Sequence, residues 1–404
     1  MSHILFTQIQ TKLRRAHQLL FSDRQAKRFY HWKDYFVQKP IAGYIGFLGH
    51  HNLGDDVLYQ AYKLLFNEYQ LLTYDGAIDP VYNSPFNRHP LELMLYRSLI
   101  KTNPFYDLIF LGGGTLINRR SYLSQFQHAL QSKQPCVVFG TGVCDPEFWQ
   151  MHGPKENYVD LIKEWVQALQ KAKIVKVRGP RSAQILEEYG LPQPEFVSDP
   201  ALAFCSPRPM PFQRTGTIGI NIGSHGVLWG NQQDVYQTIL QLIPQLIQSG
   251  WKIDLLPFHS SDLNWCLKLA QQFCPDHVAI KALFTQVDQA VQQIQNYDLI
   301  IGQRLHSVVL ACGYGVPFIS LNYAPKCDDF IDSIHCQDFS VRTNELDIEE
   351  LLFLIAKIDQ YYDAHCQRLV EVGNYYRRVQ YRAVEKIKEW LPSGLRELHK
   401  TPKR

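Results

Sequence analysis

Short apolar runs alternate along this chain with longer stretches in which apolar residues return at helical spacing. The first kind fits strands buried on both faces, the second amphipathic helices. From residue 41 the pattern predicts strand 43–49, helix 55–66, a short strand 71–74 and an irregular loop over 79–90 rich in Pro, Asn and Tyr. Helix 91–100 follows, then strand 107–111 ending in three glycines, strand 135–140, helix 158–172 and strand 174–177. Helix 181–189, closed by Gly190, leads to a short strand at 196–197. Pro207, Pro209 and Pro211 crowd residues 205–216, which read as a linker. A second run predicts strand 217–222, helix 235–248, strand 252–257, helices 261–273 and 287–295, and a strand–turn–helix–strand unit over 298–326. Residues 348–387 read as one long helical stretch carrying Tyr361, Tyr362, Tyr375, Tyr376 and Tyr381.

Such alternation predicts an α/β fold of two Rossmann-like domains, each a parallel sheet covered by helices, facing a cleft. The divisions expected are an arm at 1–40, an N-terminal domain at 41–204, the linker at 205–216, a C-terminal domain at 217–345 and a tail at 346–404 packing back across the junction. No internal repeat or low-complexity tract interrupts this plan.

With 46% hydrophobic and 20% charged residues the composition is that of an ordinary globular protein. A net charge of +3 gives no general attraction to nucleic acid, so none is expected as a partner. The nine cysteines form no Cys-x-x-Cys and no ladder of short spacings, which predicts free thiols in a cytoplasmic setting. Neither a secretory leader nor a membrane span is expected. The arm is different: Lys12, Arg14, Arg15, Arg24, Lys27, Arg28, Lys33 and Lys39 face only Asp23 and Asp34, among Ile and Leu at loosely helical spacing. Such a segment either packs on the first domain with a solvated basic face or makes peripheral contact with an anionic membrane surface.

The chemistry-bearing residues sit at predicted strand ends, where open parallel sheets bind ligands. Asp298-Leu-Ile-Ile-Gly-Gln-Arg304-Leu-His306 is the most informative stretch. A guanidinium suits phosphate or carboxylate, and an imidazole suits proton transfer near neutral pH. Asn52-Leu-Gly54-Asp55-Asp56 follows the first strand. Its carboxylates can cap a helix or orient acceptor hydroxyls. His50 and His51 lack further ligands at a recognisable spacing, so no metal is expected. Gly112-Gly113-Gly114 can present backbone amides to an anion or form a tight turn into a helix. It has neither Walker A nor dinucleotide-binding spacing. Arg178 ends a strand as an anion-contact candidate, with Arg181 on the helix surface. Asp199 either caps the turn after it or pairs with an active-site Arg or His. His225 in Gly223-Ser-His-Gly226, His259 in Leu-Pro-Phe-His, and Lys326 face the same choice between substrate and structure.

Taken in order, these motifs resemble the polysaccharide pyruvyl transferase family. The matching elements are Asn52-Leu-Gly-Asp55, Asp107-Leu-Ile-Phe-Leu-Gly-Gly-Gly114, Val177-Arg178 with Ser182, and Asp199-Pro200. Gly302-Gln-Arg304-Leu-His306, Gly315-x-Pro317 and Tyr323-x-x-Lys326 complete the set, and the resemblance runs from about Tyr44 to Phe330. The segment at 223–226 does not align with the family pattern.

The resemblance implies a GT-B-like fold, with the acceptor on the N-terminal domain and the donor on the C-terminal one. It implies transfer of pyruvate from phosphoenolpyruvate to two hydroxyls of a cell-surface glycan precursor, giving a cyclic ketal and inorganic phosphate. Under it Arg304, Arg178, Lys326 and glycine-loop amides bind the donor, and His306 protonates its methylene carbon. Asp55 or Asp56 takes the hydroxyl proton, beside Asn52. No metal or redox cofactor is required. A lipid-linked acceptor would give the basic arm a reason to approach the inner face of the membrane. The rivals are a GT-B glycosyltransferase using a nucleotide sugar and a non-catalytic binding protein on the same fold.

Overall fold

The computed structural model describes residues 40–48, 51–74, 106–131, 134–209, 211–223, 226–282, 284 and 286–389. The basic arm to residue 39, the 79–90 loop, the 91–100 helix and His225 lie outside them.

The N-terminal domain runs β1 (Ile41–Ile45), α1 (Leu53–Leu65), β2 (Gln70–Thr73), β3 (Leu108–Leu111), β4 (Gly114–Ile117), α2 (Arg120–Gln131) and β5 (Cys136–Val143). It continues through α3 (Pro146–His152), α4 (Tyr158–Leu169), β6 (Ile174–Val177), α5 (Pro180–Glu188), β7 (Glu195–Phe196) and α6 (Ala201–Phe204). The strands are parallel in the order β2-β1-β3-β5-β6-β7, with β4 paired to β5 off that line.

One expectation fails here. The glycines do not turn directly into a helix: Gly114 adopts φ +96°, and Thr115-Leu-Ile117 continues as β4 along a β5 longer than predicted. The β-branched residues of that segment favour a strand, and α2 waits until Arg120.

The C-terminal domain runs β8 (Thr217–Asn221), α7 (Gln232–Gln248), β9 (Lys252–Leu255), α8 (Leu263–Ala270), β10 (Val278–Ile280), α9 (Val287–Ile294) and β11 (Leu299–Gly302). Then come α10 (Leu305–Tyr314), β12 (Phe318–Asn322), α11 (Pro325–Ser333), β13 (Ser340–Arg342), α12 (Ile348–Gln360) and α13 (Tyr362–Lys388). Its parallel strands lie in the order β10-β9-β8-β11-β12-β13. Counted within the domain this is the doubly wound Rossmann order, reversing between β8 and β11. The N-terminal sheet reverses between β1 and β3. Loops after all four of these strands open at the carboxyl ends of the sheets, where such folds bind ligands.

The domains are joined by packing. Leu53, Val57 and Leu58 on α1 are buried in one apolar cluster with Ile220, Leu256 and Val308 of the second domain. Burying each such side chain contributes roughly 1.5–3 kcal/mol. The Leu53 amide donates to the Phe258 carbonyl at 2.9 Å, and Asp329 of α11 accepts from the Ser182 amide (3.1 Å) and hydroxyl (2.7 Å) of α5.

The tail is two helices, not one. The break at Tyr361 has no Gly or Pro. The linker holds it instead: Arg214 pairs with Asp359 and stacks on Tyr362, and Arg208 donates to the Tyr362 hydroxyl. Beyond the break α13 bridges the domains. Tyr376 donates to the Ser333 carbonyl, and Gln380 to the carbonyls of Val197 and Asp199. No helix among the described residues is long and apolar enough to cross a membrane.

Candidate active site

The loops at the two sheet reversals enclose a cleft of about 640 Å³. That falls in the range of sites that hold small-molecule ligands. Of the residues singled out in the sequence, Asn52, Asp55, Gly114, Arg178, Arg304, His306 and Lys326 line it.

Arg304 lies two residues past the end of β11 and caps the start of α10. Its amide donates to the Asn221 side chain at 2.7 Å. Its guanidinium is clamped by fully buried Asp262, with Nε to Oδ2 at 2.9 Å and Nη2 to Oδ1 at 2.6 Å. The same carboxylate accepts from the amides of Phe258 and His259. Gln303 locks the loop by accepting from the Gly223 amide and exchanging bonds with Gln232. The side chain that fixes this arginine, Asp262, was not picked out in the sequence. Its signal is modest: it is the acid three residues after His259 in a capping box. That box also makes His259 a structural residue.

His306, two residues on, turns its ring onto α1 of the other domain. A Cβ on Gly54 would lie 2.1 Å from His306 Nδ1, so only glycine permits this approach. Gly54 therefore belongs to the site as the surface the imidazole rests on. On its other side His306 Nε2 faces Asp199 Oδ2 at 3.7 Å, and both atoms are buried without a hydrogen-bond partner. Asp199 takes the capping role, Oδ1 accepting from the Ala201 amide at 3.0 Å, while Oδ2 points at the imidazole without bonding it. The preceding Ser198 has φ +59°, a strained state for a residue other than glycine, held by its contact with Ser333.

Burial, then the charges of Arg178, Lys326 and Arg304, lower the His306 pKa to about 3, so the ring is neutral at physiological pH. Burial raises Asp199 to about 6 despite Arg178 and the Ala201 amide. It raises Asp55 to about 7 against the pull of Lys326 and Arg304. Asp55 is held by the Asn52 side-chain amide at 2.5 Å, while Asn52 Oδ1 caps Gly54 at 3.2 Å.

Arg178 is 1% exposed. Its Nη2 donates to Thr115 Oγ1 at 3.2 Å, and Nε lies 3.9 Å from Asp329 with no hydrogen-bond partner. The Lys326 ammonium stands 4.8 Å from the centre of the Tyr323 ring. No carboxylate among the described residues lies within ion-pair distance of it.

Three expectations change. Gly112 and Gly113 are packing glycines: a Cβ on either would strike Tyr44 or Leu58, and only Gly114 of the three reaches the cleft. Asp56, about 100° farther round α1, is not in the cleft wall and sits beside His51. Arg119 lines the cleft although nothing in the sequence set it apart from Arg120. No cluster of metal-ligating side chains occurs among the described residues.

Residues 52–325 match the family model described as polysaccharide pyruvyl transferase. No curated protein sequence matches the chain. Solved structures of similar shape include MnaA of S. aureus in a co-structure with UDP, at 13% identity and TM-score 0.55 over 87% of this chain and 97% of that one. A putative UDP-N-acetylglucosamine 2-epimerase from Listeria monocytogenes is 12% identical with TM-score 0.54, covering 89% and 97%. The UDP-GlcNAc 2-epimerase of Neisseria meningitidis bound to UDP-GlcNAc is 10% identical with TM-score 0.51, covering 86% and 100%. At these identities the likeness is one of fold, the GT-B arrangement of two facing Rossmann-like domains.

Proposed function

The chain belongs to the polysaccharide pyruvyl transferase family, and from that premise we propose that it moves pyruvate from phosphoenolpyruvate onto two hydroxyls of a glycan, forming a cyclic ketal. The observation that carries this reading is the convergence of three cations on one buried, neutral imidazole. Arg178, Arg304 and Lys326 reach it from the strand end of one sheet, the strand end of the other, and α11. A donor with both a phosphate and a carboxylate matches such a cluster.

The charges explain the timing of proton transfer. While the cations stand without an anion, His306 holds no proton. Burial is the larger cause of the lowered pKa and the cations the smaller, so a bound donor, by offsetting the cations, moves the ring toward protonation when there is something to protonate. Asp199 faces Nε2 and stabilises the resulting imidazolium, the role of the carboxylate in a hydrolase triad. The Nδ1 side then delivers the proton to the methylene carbon, which becomes a methyl group and leaves C2 electron-poor. One acceptor hydroxyl attacks C2 and gives its proton to Asp55, whose raised pKa suits a base working near neutrality. The second hydroxyl then displaces phosphate and closes the ketal. The two hydroxyl protons balance the one gained by carbon and the one that leaves with phosphate.

The chemistry is tested by following phosphate release from phosphoenolpyruvate with a panel of glycan acceptors, beside a thermal-shift screen of nucleotide sugars. Acceptor-dependent release supports the reading. Stabilisation by nucleotide sugars with no release would favour the glycosyltransferase alternative instead.

A further inference from the structure

Arg178 and Lys326 line the cleft from different domains, so the spacing between them is set by whatever joins the domains there. Lys326 rides on α11, and Asp329 lies one helical turn farther along the same helix. Asp329 is 3% exposed, and both of its oxygens bond the N-terminal domain. Oδ1 accepts from the Ser182 amide at 3.1 Å, and Oδ2 from the Ser182 hydroxyl at 2.7 Å. Its neighbour Asp328 does the opposite, holding α11 to its own domain through Asn322 at 2.6 Å and Arg342 at 3.0 Å.

Asp329 docks at the start of α5. The N-cap of that helix is Gly179, which makes no side-chain cap bond. First-turn N–H groups need acceptors, and a carboxylate also suits the positive end of the helix dipole. Here the acceptor comes from the other domain. A Cβ on Gly179 would strike the carbonyl and the carboxylate of Asp329, so only glycine admits this cap.

Arg178 is the residue immediately before Gly179. Asp329 does not bond its guanidinium, since Oδ2 stops 3.9 Å from Nε. It fixes instead the turn from which the arginine springs, while Thr115 takes Nη2 at 3.2 Å. Ser333, at the far end of α11, repeats the pattern by pairing its hydroxyl with that of Ser198, next to Asp199.

Resting on the donor reading above, we propose that Asp329 is a positioning residue. By capping α5 across the domain boundary it holds Arg178 and Lys326 at one spacing, as a single seat for the two anionic groups of the donor.

Asp329→Ala and Asp329→Asn test this through calorimetric binding of phosphoenolpyruvate and of inorganic phosphate, beside KM for donor and acceptor. Losing one charge-assisted contact weakens binding by about 10- to 100-fold. A rise of that size is expected in Kd and KM for phosphoenolpyruvate once alanine unseats Arg178, with KM for the glycan unchanged. Asparagine keeps an acceptor for the Ser182 amide and an N–H for its hydroxyl oxygen, so it should recover most of the loss.

A merely structural role would lower the unfolding midpoint of Asp329→Ala and leave these constants at their wild-type values, which overturns the proposal. So does an asparagine variant as weak as alanine, because the charge and not the cap would then be at work. Should Asp329→Ala fail to fold, Ser182→Ala removes one of the two bonds and is expected to raise the same constants by less. Unchanged constants in that variant overturn the proposal equally.

Inorganic phosphate keeps the two readings apart. Wild type that binds phosphate but not phosphoenolpyruvate counts against the donor reading alone, and the variants are then compared on phosphate. Wild type that binds neither sinks both.

Discussion

Arg304 and Arg178 occupy equivalent places, each at the end of a strand beside a domain's contribution to the cleft, yet they are held in opposite ways. Around Arg304 the hydrogen bonds close: Asp262 takes two of its donors and two backbone amides, and Asn221 takes its amide. Around Arg178 they do not. Its Nε, Asp199 Oδ2 and His306 Nε2 are all buried and without partners. Buried polar atoms are normally paired, so three orphans in one place mark where the fold gives up stability for something else. The surroundings of Arg304 are a finished scaffold, whereas those of Arg178, to which both domains contribute, keep three buried polar atoms unpaired.

The largest effect that could break this contrast is on turnover. His306→Gln is expected to lower pyruvyl transfer by about 10²–10⁴-fold. Its unfolding midpoint should remain close to wild type, because Nε2 has no bond to lose. A variant that unfolds, or one that retains its rate, would deny the ring its role.

Next come the two carboxylates. Asp262→Ala strands a partly buried arginine and two backbone amides and should destabilise the protein by about 2–4 kcal/mol in denaturant unfolding. Asp199→Asn should do the reverse. Burial raises the Asp199 pKa to about 6, so its stability contribution is full below about pH 4 and lost as pH rises through about 6. Removing the charge should therefore stabilise the free protein at pH 8 by on the order of 1–3 kcal/mol while lowering transfer. Equal effects of the two substitutions would erase the comparison.

The α/β fold class was legible because strand and helix periods differ and alternate cleanly in this chain. The four-residue β4 and three-residue β10 and β13 were not read as strands. Strand-end motifs marked Arg304, His306, Asp55 and Arg178, because open parallel sheets bind ligands there. The reason for Gly54 was hidden: it depends on His306 arriving from the other domain. Asp262 was hidden likewise, its role being set by tertiary pairing rather than by its neighbours.

Gly54→Ala sharpens that point with a smaller expected loss. The added methyl displaces the imidazole, so transfer should fall roughly tenfold to a hundredfold, as misplacement of about 1 Å does elsewhere. KM for phosphoenolpyruvate should change less than kcat. A kcat left untouched would mean the ring does not need its seat.

The smallest signal is a proton. His306 has its pKa lowered to about 3, so its contribution to stability is present above about pH 6.5 and lost as pH falls toward 3. Donor binding should raise that pKa and draw up to one proton from solvent at pH 7. Titration calorimetry in buffers of different ionisation enthalpy would detect it, and His306→Gln should abolish it. Equal uptake by both proteins would place the proton elsewhere.

The central claim is that this cleft protonates the methylene carbon of phosphoenolpyruvate and transfers the resulting pyruvyl group. Its most direct test is the reaction in heavy water, with the product glycan analysed by mass spectrometry. The expected product is a pyruvyl ketal carrying one deuterium in its methyl group, with one phosphate released for each ketal formed. A ketal without that deuterium, or phosphate released with no ketal formed, would contradict it.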